Sequence, residues 1–297
     1  MTTRTVERPL QIAGIVTGLA LALFLLGPIL WMVDSSFQFD WELFTVPPHF
    51  IPQQPTLDNY RYIITRVPPP TYSGTQIGRR ASGEALSLIP ALKNSFVVAT
   101  TVTVLNLLFS SLAAYTYARI RFRGRDFTYG FILTSRLIPA ISVAIPVFVL
   151  IDRLGLLDTR TALILVYVAF TLPFTMWFLM KYFAFFPPEI EEAALLDGCS
   201  RFGTLRRIVA PIAAPGLAAA AAFAFMGSYS EFLYALFLTR TMAAKTAPVI
   251  LVATAINHDV SFALSFAALV LSVIPPVLFA LIFRSYITRG FVGAFGR

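Results

Sequence analysis

Few side chains in this 297-residue sequence have the chemistry of a catalytic site. The one cysteine, Cys199, excludes a disulfide framework and every metal site that needs several cysteines. Two histidines leave little for imidazole chemistry, and the glycine-rich loop ending in Gly-Lys-Ser/Thr that holds nucleotide phosphates does not occur. The sequence therefore predicts no catalytic residue, no metal ligand set and no nucleotide site.

Two charged side chains lie inside long apolar stretches. Glu231 follows Tyr229 and Ser230, and Arg136 lies in an earlier apolar run. Ionisable groups at membrane depth are costly, so they face the interior of a helix bundle or a water-filled path. We therefore expect a translocation pathway near Glu231, Tyr229, Ser230 and the polar Asn106. Pairing of Glu231 with a basic group such as Arg136 is the structural alternative.

The segment from Phe186 to Gly216 carries several helix signals. Pro188 suits the start of a helix, and the glutamates after it lie where the helix dipole favours anions. Gly198 can adopt the positive φ that ends a helix, and Ser200 can cap a second helix. These signals predict a short helix from Glu189 to about Asp197, then a turn and another short helix.

One side of the predicted short helix is suited to contact with a partner. Ala193 and Ala194 make that side thin, so a partner's groove can approach the backbone, and Leu195 and Leu196 add apolar contact. A surface loop that is merely helical fits the same residues, and from these features alone the two interpretations stay open.

The elements that must position these residues follow from composition. The hydrophobic fraction is 57%, the charged fraction is 13%, and the mean hydropathy is +0.76. A soluble fold needs more charge than this to cover its core, and disorder needs fewer apolar residues. The first apolar window is interpreted as an uncleaved helix and not as a signal peptide, because Leu23–Leu26 stays apolar beyond a cleavage-like triplet. We predict an all-α membrane protein with six transmembrane helices, because six windows can cross a hydrocarbon core of ~30 Å: Ala13–Val33, Ser95–Tyr115, Thr128–Leu150, Thr161–Tyr182, Ala214–Leu236 and Ala263–Ser285.

The lysines and arginines predict the orientation. With the N-terminus inside, the cytoplasmic side holds thirteen of them, whereas the two short outer loops hold four. Basic residues concentrate in short cytoplasmic loops, so both termini are predicted to be cytoplasmic. Since these residues sort by membrane side and form no single stripe, the net charge of +8 does not indicate nucleic-acid binding. The predicted division is a cytoplasmic N-terminus (1–12), a six-helix transmembrane domain (13–285) with an outer loop (34–94) and a cytoplasmic loop (183–213), and a cytoplasmic tail (286–297).

The outer loop at 34–94 carries eight of the twenty prolines, including the runs Pro47-Pro48 and Pro68–Pro70. Such runs favour extended or turn structure over a packed domain. Two interpretations fit this composition. The loop is either a surface that contacts a partner or a loop without a specific function.

The segment around the short helix is similar to the EAA loop of binding-protein-dependent ABC importers. The resemblance lies in Glu192-Ala193-Ala194 and Asp197-Gly198, followed at fixed spacing by Ile208 and Pro211. Ala210 departs from the pattern, because that family often has leucine before the proline. The EAA loop is the signature of the membrane-spanning permease subunits of these importers.

Other stretches resemble the carbohydrate branch of that family, of the maltose type. The outer loop around residues 67–88 departs from this branch, because it is longer than expected there. The stretches that carry the resemblance are Pro55–Tyr60, Asn94-Ser95, Ala113–Tyr115 with Arg119 and the cluster Arg121–Arg125, and Leu172–Phe174.

The resemblance implies a type I ABC importer permease fold (MetI-like) with a cytoplasmic coupling helix, in the bacterial inner membrane. It implies a second homologous permease, two ATP-binding cassette subunits that use ATP and Mg, and an extracytoplasmic solute-binding protein that delivers a sugar, oligosaccharide or polyol. This chain would bind no cofactor. By analogy, the last outer loop reaches the binding protein through Asn257, His258 and Asp259. The residues implied to couple to the ATPase are Glu189, Glu192, Ala193, Ala194, Leu195, Asp197, Gly198, Ile208 and Pro211.

An ion-coupled secondary transporter is the alternative from another class. It would use Glu231 and Arg136 as a charge relay. It predicts transport that persists without ATP and collapses with the ion gradient, and it leaves the EAA resemblance unexplained. A membrane-embedded enzyme would need clustered acidic or histidine ligands within the spans, and one glutamate there does not supply them.

Overall fold

The computed structural model describes residues 4–47, 49–70, 86–256 and 261–295. Every regular element in that part of the chain is helical, which confirms the predicted fold class. In chain order the helices are α1 (Arg4–Ser35), α2 (Asp40–Leu43), α3 (Asp58–Thr65), α4 (Leu88–Arg119), α5 (Arg125–Thr134), α6 (Ala140–Arg153), α7 (Arg160–Ala184), α8 (Glu189–Leu196), α9 (Arg201–Ile212), α10 (Ala214–Tyr229), α11 (Leu233–Leu238), α12 (Ala247–Ile256) and α13 (Phe262–Phe295).

Within these described residues, four helices are each long and apolar enough to cross a bilayer: α1, α4, α7 and α13. Two further candidates are bent pairs: α5 with the turn after it meets α6 at 100°, and α9 meets α10 at 85°. The described part of the chain therefore contains four continuous candidate spans, or up to six if each bent pair counts as one. At its end α13 stays helical through Phe295, past the tail boundary expected at residue 286.

The third predicted window, Thr128–Leu150, is not one helix. A 3₁₀ turn at Ser135–Leu137 follows α5, and α6 begins only after Pro139. A proline disfavours the helical conformation in the residue before it, and Ile138 has φ −73° and ψ 121°. The resulting bend lies next to Arg136.

The fifth predicted window, Ala214–Leu236, also is not one helix, because α10 stops at Tyr229 and α11 follows separately. The two carboxylate oxygens of Glu231 accept hydrogen bonds from the backbone N–H groups of Tyr234 and Ala235, at 2.9 and 3.2 Å. The first N–H groups of a helix have no partner inside it, so this carboxylate stabilises the start of α11. Glu231 therefore begins a new helix.

The described residues within 1–88 and 251–272 form one compact unit. The buried Asn59 of α3 donates to two backbone carbonyls just beyond the end of α1, at 2.9 and 3.0 Å. Asp40 accepts from the Ser261 hydroxyl and from a backbone N–H at the start of α13, at 2.7 and 2.9 Å. The described part of the outer loop is thus more ordered than its prolines alone predict.

Residues 89–250 with 273–297 form the second unit, in which α7 packs against α10. A Cβ atom on Gly216 would lie 2.4 Å from the Tyr182 ring, so the ring packs on bare backbone there. Ala219 and Ala220 of α10 are also buried. Small residues let helices approach closely, as in other membrane bundles. This packing supports the segment that carries α8.

Candidate functional site

The helix α8 forms where the sequence predicts it. Pro188 precedes it, and three glutamates occupy its first turn. Gly198 follows the helix with a φ of +85°, a conformation that residues with side chains rarely adopt. The N–H of Cys199 then donates to the carbonyl of Ala194 at 3.0 Å. This left-handed ending satisfies a carbonyl at the end of the helix and turns the chain sharply.

The second short helix is also confirmed. Ser200 caps α9, because its hydroxyl accepts from the N–H of Gly203 at 3.1 Å. Within α9, a π-helical stretch covers Leu205–Val209. The predicted arrangement of helix, turn and helix is therefore present.

Glu191 holds α8 against the rest of the second unit. Its side chain is only 8% exposed, and its Oε1 lies 2.7 Å from the Nε of Arg119. Its Oε2 accepts from the Tyr115 hydroxyl at 2.9 Å. Arg119 also donates to the carbonyls of Phe183 and Phe186, at 2.9 and 2.7 Å. One buried ion pair thus ties α8 to the ends of both α4 and α7.

Sequence reasoning did not identify this anchor. It placed Glu191 only among the acidic residues that follow Pro188. The signal lies in helical spacing, because Glu191 shares one face of α8 with Ala194 and Leu195, three and four residues on. A carboxylate on the inward face of a short helix needs a buried cation. Its partner Arg119 is distant in sequence, so spacing alone does not name it.

The other side of α8 is exposed. Leu196 is 89% exposed, and Phe202 at the start of α9 is 61% exposed. Asp197 follows Leu196 directly in the chain, whereas Phe202 lies between Arg201 and Gly203. We call this region the docking surface, and it consists of Glu189, Glu192, Ala193, Leu196, Asp197 and Phe202, all exposed.

The remaining coupling candidates occupy different positions. Gly198 and Pro211 are exposed, whereas Leu195 and Ile208 are half-buried. Ile208 lines a small cleft behind α8. Ala194 is 4% exposed and faces the interior of this chain, so it acts through packing.

The four pathway candidates do not share one cavity. Ser230 is exposed and lines a cavity of about 320 Å³. Asn106 is fully buried and donates to the Thr171 hydroxyl, so it joins α4 to α7. Tyr229 is buried and stacks on Phe225 with ring centroids 5.7 Å apart. Glu231 holds the start of α11.

Arg136 and Glu231 do not form an ion pair. Arg136 instead donates from Nη1 to the carbonyl of Phe170 at 2.7 Å, and the Glu231 carboxylate accepts from backbone N–H groups. A charge relay between these two residues therefore has no direct contact in this structure.

A carboxylate fixes the loop after α11. Asp158 Oδ1 accepts from the backbone N–H groups of Arg240 and Thr241, at 2.8 and 2.9 Å. Partial burial acts to raise the pKa of Asp158, but hydrogen bonds from Thr241 and Arg240 and the charge of Lys245 hold this pKa below its ordinary value. The Asn94 amide also donates to the carbonyl of Lys245 at 2.9 Å. The base of this loop is thus held from two sides.

Asn257, His258 and Asp259 lie outside the described residues. Within 4–47, 49–70, 86–256 and 261–295, no cluster of three or more His, Cys, Asp or Glu residues could hold a metal ion.

Comparison with known proteins decides the family. Residues 106–293 match the family described as the binding-protein-dependent transport system inner membrane component. The chain belongs to this family. It is a multi-pass inner membrane permease, in keeping with its apolar helices.

Curated relatives cover almost the whole permease. It is 35% identical to the trehalose/maltose transport system permease protein MalG of Thermococcus litoralis, over 94% of each chain. It is 32% identical to the trehalose transport system permease protein SugB of Mycobacterium tuberculosis, over 90% of each chain. The permease also resembles a chain of a bacterial ABC transporter that imports the acidic polysaccharide alginate, with a TM-score of 0.77 at 22% identity, covering 96% of this chain and 99% of that chain. At that identity the likeness supports the fold.

Proposed function

We propose that this permease is a non-catalytic subunit of an ATP-driven importer, and that it moves a carbohydrate delivered by an extracytoplasmic binding protein. The relatives named as permeases for trehalose and maltose support the class of substrate. Separate ATPase subunits would bind ATP and Mg²⁺, in keeping with a sequence that holds no phosphate-binding loop. A second, homologous permease completes the pathway, and both termini lie in the cytoplasm.

The proposal is supported chiefly by the difference between the two faces of α8, one buried and one exposed. Glu191 fixes the inner face through a buried ion pair, and the docking surface remains exposed. A rigid helix that is tied to α4 and α7 can transmit displacement from a partner into two candidate spans. A groove on the ATPase with apolar walls complements the exposed Leu196 and Phe202. Basic residues at one side of its rim complement the carboxylates of Glu189, Glu192 and Asp197. ATP-driven closure of the two ATPases would then bias a two-state helix bundle.

Cys199 offers a direct test of this docking. It is the chain's one cysteine and lies immediately after Gly198. A photoactivatable crosslinker attached to Cys199 in the assembled importer is expected to capture the ATPase subunit. The matched control is a Cys199→Ala, Asp126→Cys variant that carries the crosslinker at position 126, because Asp126 is exposed and belongs to α5 and not to the docking surface. Equal capture of the ATPase from both positions would contradict the assignment of α8.

The class of substrate is tested on the binding protein. The importer is purified with its binding protein, and the ligand released from that protein is identified by mass spectrometry. A carbohydrate is the expected ligand. An amino acid or a peptide would refute the carbohydrate assignment while leaving the family unaffected.

A further inference from the structure

Arg136 carries a charge that no carboxylate among the described residues neutralises. It lies at the bend of the pair Arg125–Leu137 and Ala140–Arg153, which is long and apolar enough to cross a membrane. Its Nη1 donates to the Phe170 carbonyl at 2.7 Å, which fixes the guanidinium. Among the side chains that the structure describes, no carboxylate forms an ion pair with Arg136. A cation at this depth is expected to face a water-filled path or a counter-ion.

Arg136 lines the same cavity of about 320 Å³ as Ser230. This volume lies at the lower end of the range of small-molecule sites, roughly 300–1,000 Å³. The guanidinium has five N–H donors, and one bond to a carbonyl leaves others available. The cavity is lined by Arg136, Thr171, Phe174, Thr175, Phe223, Ala224, Met226, Gly227 and Ser230.

Three hydroxyl groups in this cavity are oriented as acceptors. Thr171, Thr175 and Ser230 each donate to the carbonyl four residues earlier in the chain, at 2.6, 3.1 and 2.7 Å. A hydroxyl has one donor and two acceptor lone pairs. Thr175 is only 1% exposed and Thr171 already accepts one bond from Asn106, so the exposed Ser230 and the remaining lone pair of Thr171 are the acceptors left for a ligand. The rings of Phe174 and Phe223 meet edge to face at a centroid distance of 5.4 Å and add apolar surface.

These groups match one class of ligand. A guanidinium binds a carboxylate through charge-assisted hydrogen bonds. Hydroxyl acceptors suit a ligand that has many O–H donors, and aromatic rings pack on the apolar face of a sugar ring. We propose that this cavity is a substrate-binding site on the translocation pathway for a carbohydrate that carries a carboxylate, with Arg136 binding the carboxylate. This proposal rests on the proposed carbohydrate-import function and specifies its substrate.

The first experiment identifies the charge of the sugar. The carbohydrate released from the co-purified binding protein is expected to contain a uronic acid. A neutral carbohydrate there would overturn the anionic site while leaving carbohydrate import intact. A wild-type importer that takes up no carbohydrate would instead overturn the proposed function, so the two failures are distinguishable.

The second experiment measures sugar held by the permease. The assembled importer is trapped with vanadate in the presence of its binding protein and a radiolabelled oligo-uronate, and the retained label is counted. Retention is expected to fall about tenfold or more in Arg136→Gln, since a charge-assisted hydrogen bond is lost, and less in Arg136→Lys. Arg121→Gln removes an exposed arginine outside this cavity and is expected to match the wild type.

A steric variant tests the cavity without changing its charge. A Cβ on Gly227 would lie 3.8 Å from Thr171, an ordinary contact, so Gly227→Ala narrows the cavity without a clash. It is expected to assemble normally and to retain less label. Wild-type retention in both Arg136→Gln and Gly227→Ala would overturn the site. Loss of the second permease from Arg136→Gln, with assembly restored by Arg136→Lys at unchanged retention, would also overturn it by placing Arg136 in the subunit interface.

Discussion

Replacing Glu191 with glutamine removes the charge that anchors α8 but nearly preserves the size of the side chain. Glutamine can still accept from the Tyr115 hydroxyl, but it cannot pair with the guanidinium of Arg119. The wild-type contact is 2.7 Å long between side chains that are 8% and 12% exposed, so water does not replace it readily. The variant therefore leaves a poorly solvated cation behind α8.

The size of the effect follows from this burial. Removing one partner of a buried ion pair costs about 3–5 kcal/mol. Arg119 keeps its bonds to the Phe183 and Phe186 carbonyls, which places the expected cost near the lower end, about 3 kcal/mol. Since each 1.4 kcal/mol is a factor of ten, α8 should detach roughly 100-fold more often. The spans have their own packing, so this loss is local.

Hydrogen exchange of the α8 amides in lipid nanodiscs measures that opening. Glu191→Gln should exchange faster across Glu189–Leu196 and should hydrolyse ATP with little coupled sugar uptake. Glu192→Gln is the matched control, because it makes the same chemical change at an exposed position on the same helix. Its exchange should stay at the wild-type rate.

One result would refute the role of Glu191 in anchoring α8. If Glu191→Gln and Glu192→Gln exchange at the same rate and both support wild-type uptake, the buried pair does not position α8. A double-mutant cycle with Arg119→Gln sharpens the test, because residues that act together show non-additive costs. Additive losses would mean that Arg119 and Glu191 act independently.

Three other changes have predicted outcomes. Gly198→Val should retain assembly but lose coupled uptake, because a positive φ of +85° costs a β-branched residue at least ~1–2 kcal/mol and distorts the turn; uptake per ATP hydrolysed measures this. Gly216→Ala should lower thermal stability, at a cost of about 1–3 kcal/mol, since its Cβ would lie 2.4 Å from Tyr182. The pKa of Asp158 is lower in the folded protein than in the unfolded chain. The hydrogen bonds that Asp158 accepts from Thr241 should therefore be fully formed above the unfolded pKa of about 3.9, and should be lost as the pH falls through the lower pKa of the folded protein. Proteolysis of this loop at different pH values measures the loss.

Each of these predictions has a control. Gly130→Ala adds a methyl group that meets no atom within 4 Å apart from its chain neighbours and the nearby backbone of its own helix, so its melting temperature should match the wild type. Gly198→Ala lacks β-branching and should couple better than Gly198→Val. In Asp158→Asn, the protease should cleave the loop already at neutral pH, whereas it should cleave the wild-type loop only in acid. Wild-type uptake in Gly198→Val, equal melting of Gly216→Ala and Gly130→Ala, or a protected loop in Asp158→Asn would each contradict its prediction.

Local signals predicted α8 well because its ends depend on neighbouring residues. A helix start after Pro188, a left-handed Gly198 and a cap at Ser200 each need only a few residues of sequence. The apolar windows likewise predicted an all-helical membrane protein, because the thickness of the bilayer fixes how many apolar residues a spanning helix needs.

Hydropathy did not predict where spans break. The window Thr128–Leu150 holds Ser135, Arg136 and Pro139, yet its mean hydropathy is still that of a spanning helix, so the 100° bend was not predicted. Glu231 gave the signal of a pathway residue, yet its carboxylate binds the backbone at the start of α11. The pairing of Glu191 with Arg119 joins residues 72 positions apart, and one sequence holds no record of such contacts.

The central claim is that this permease couples ATP hydrolysis to carbohydrate import. Its most direct test is uptake of the binding protein's own sugar into proteoliposomes that contain the complete importer, with and without enclosed ATP. Uptake is expected to require ATP and the loaded binding protein, and to continue when ionophores remove all ion gradients. Uptake that proceeds without ATP and stops with the ionophores would contradict the account and favour an ion-coupled transporter.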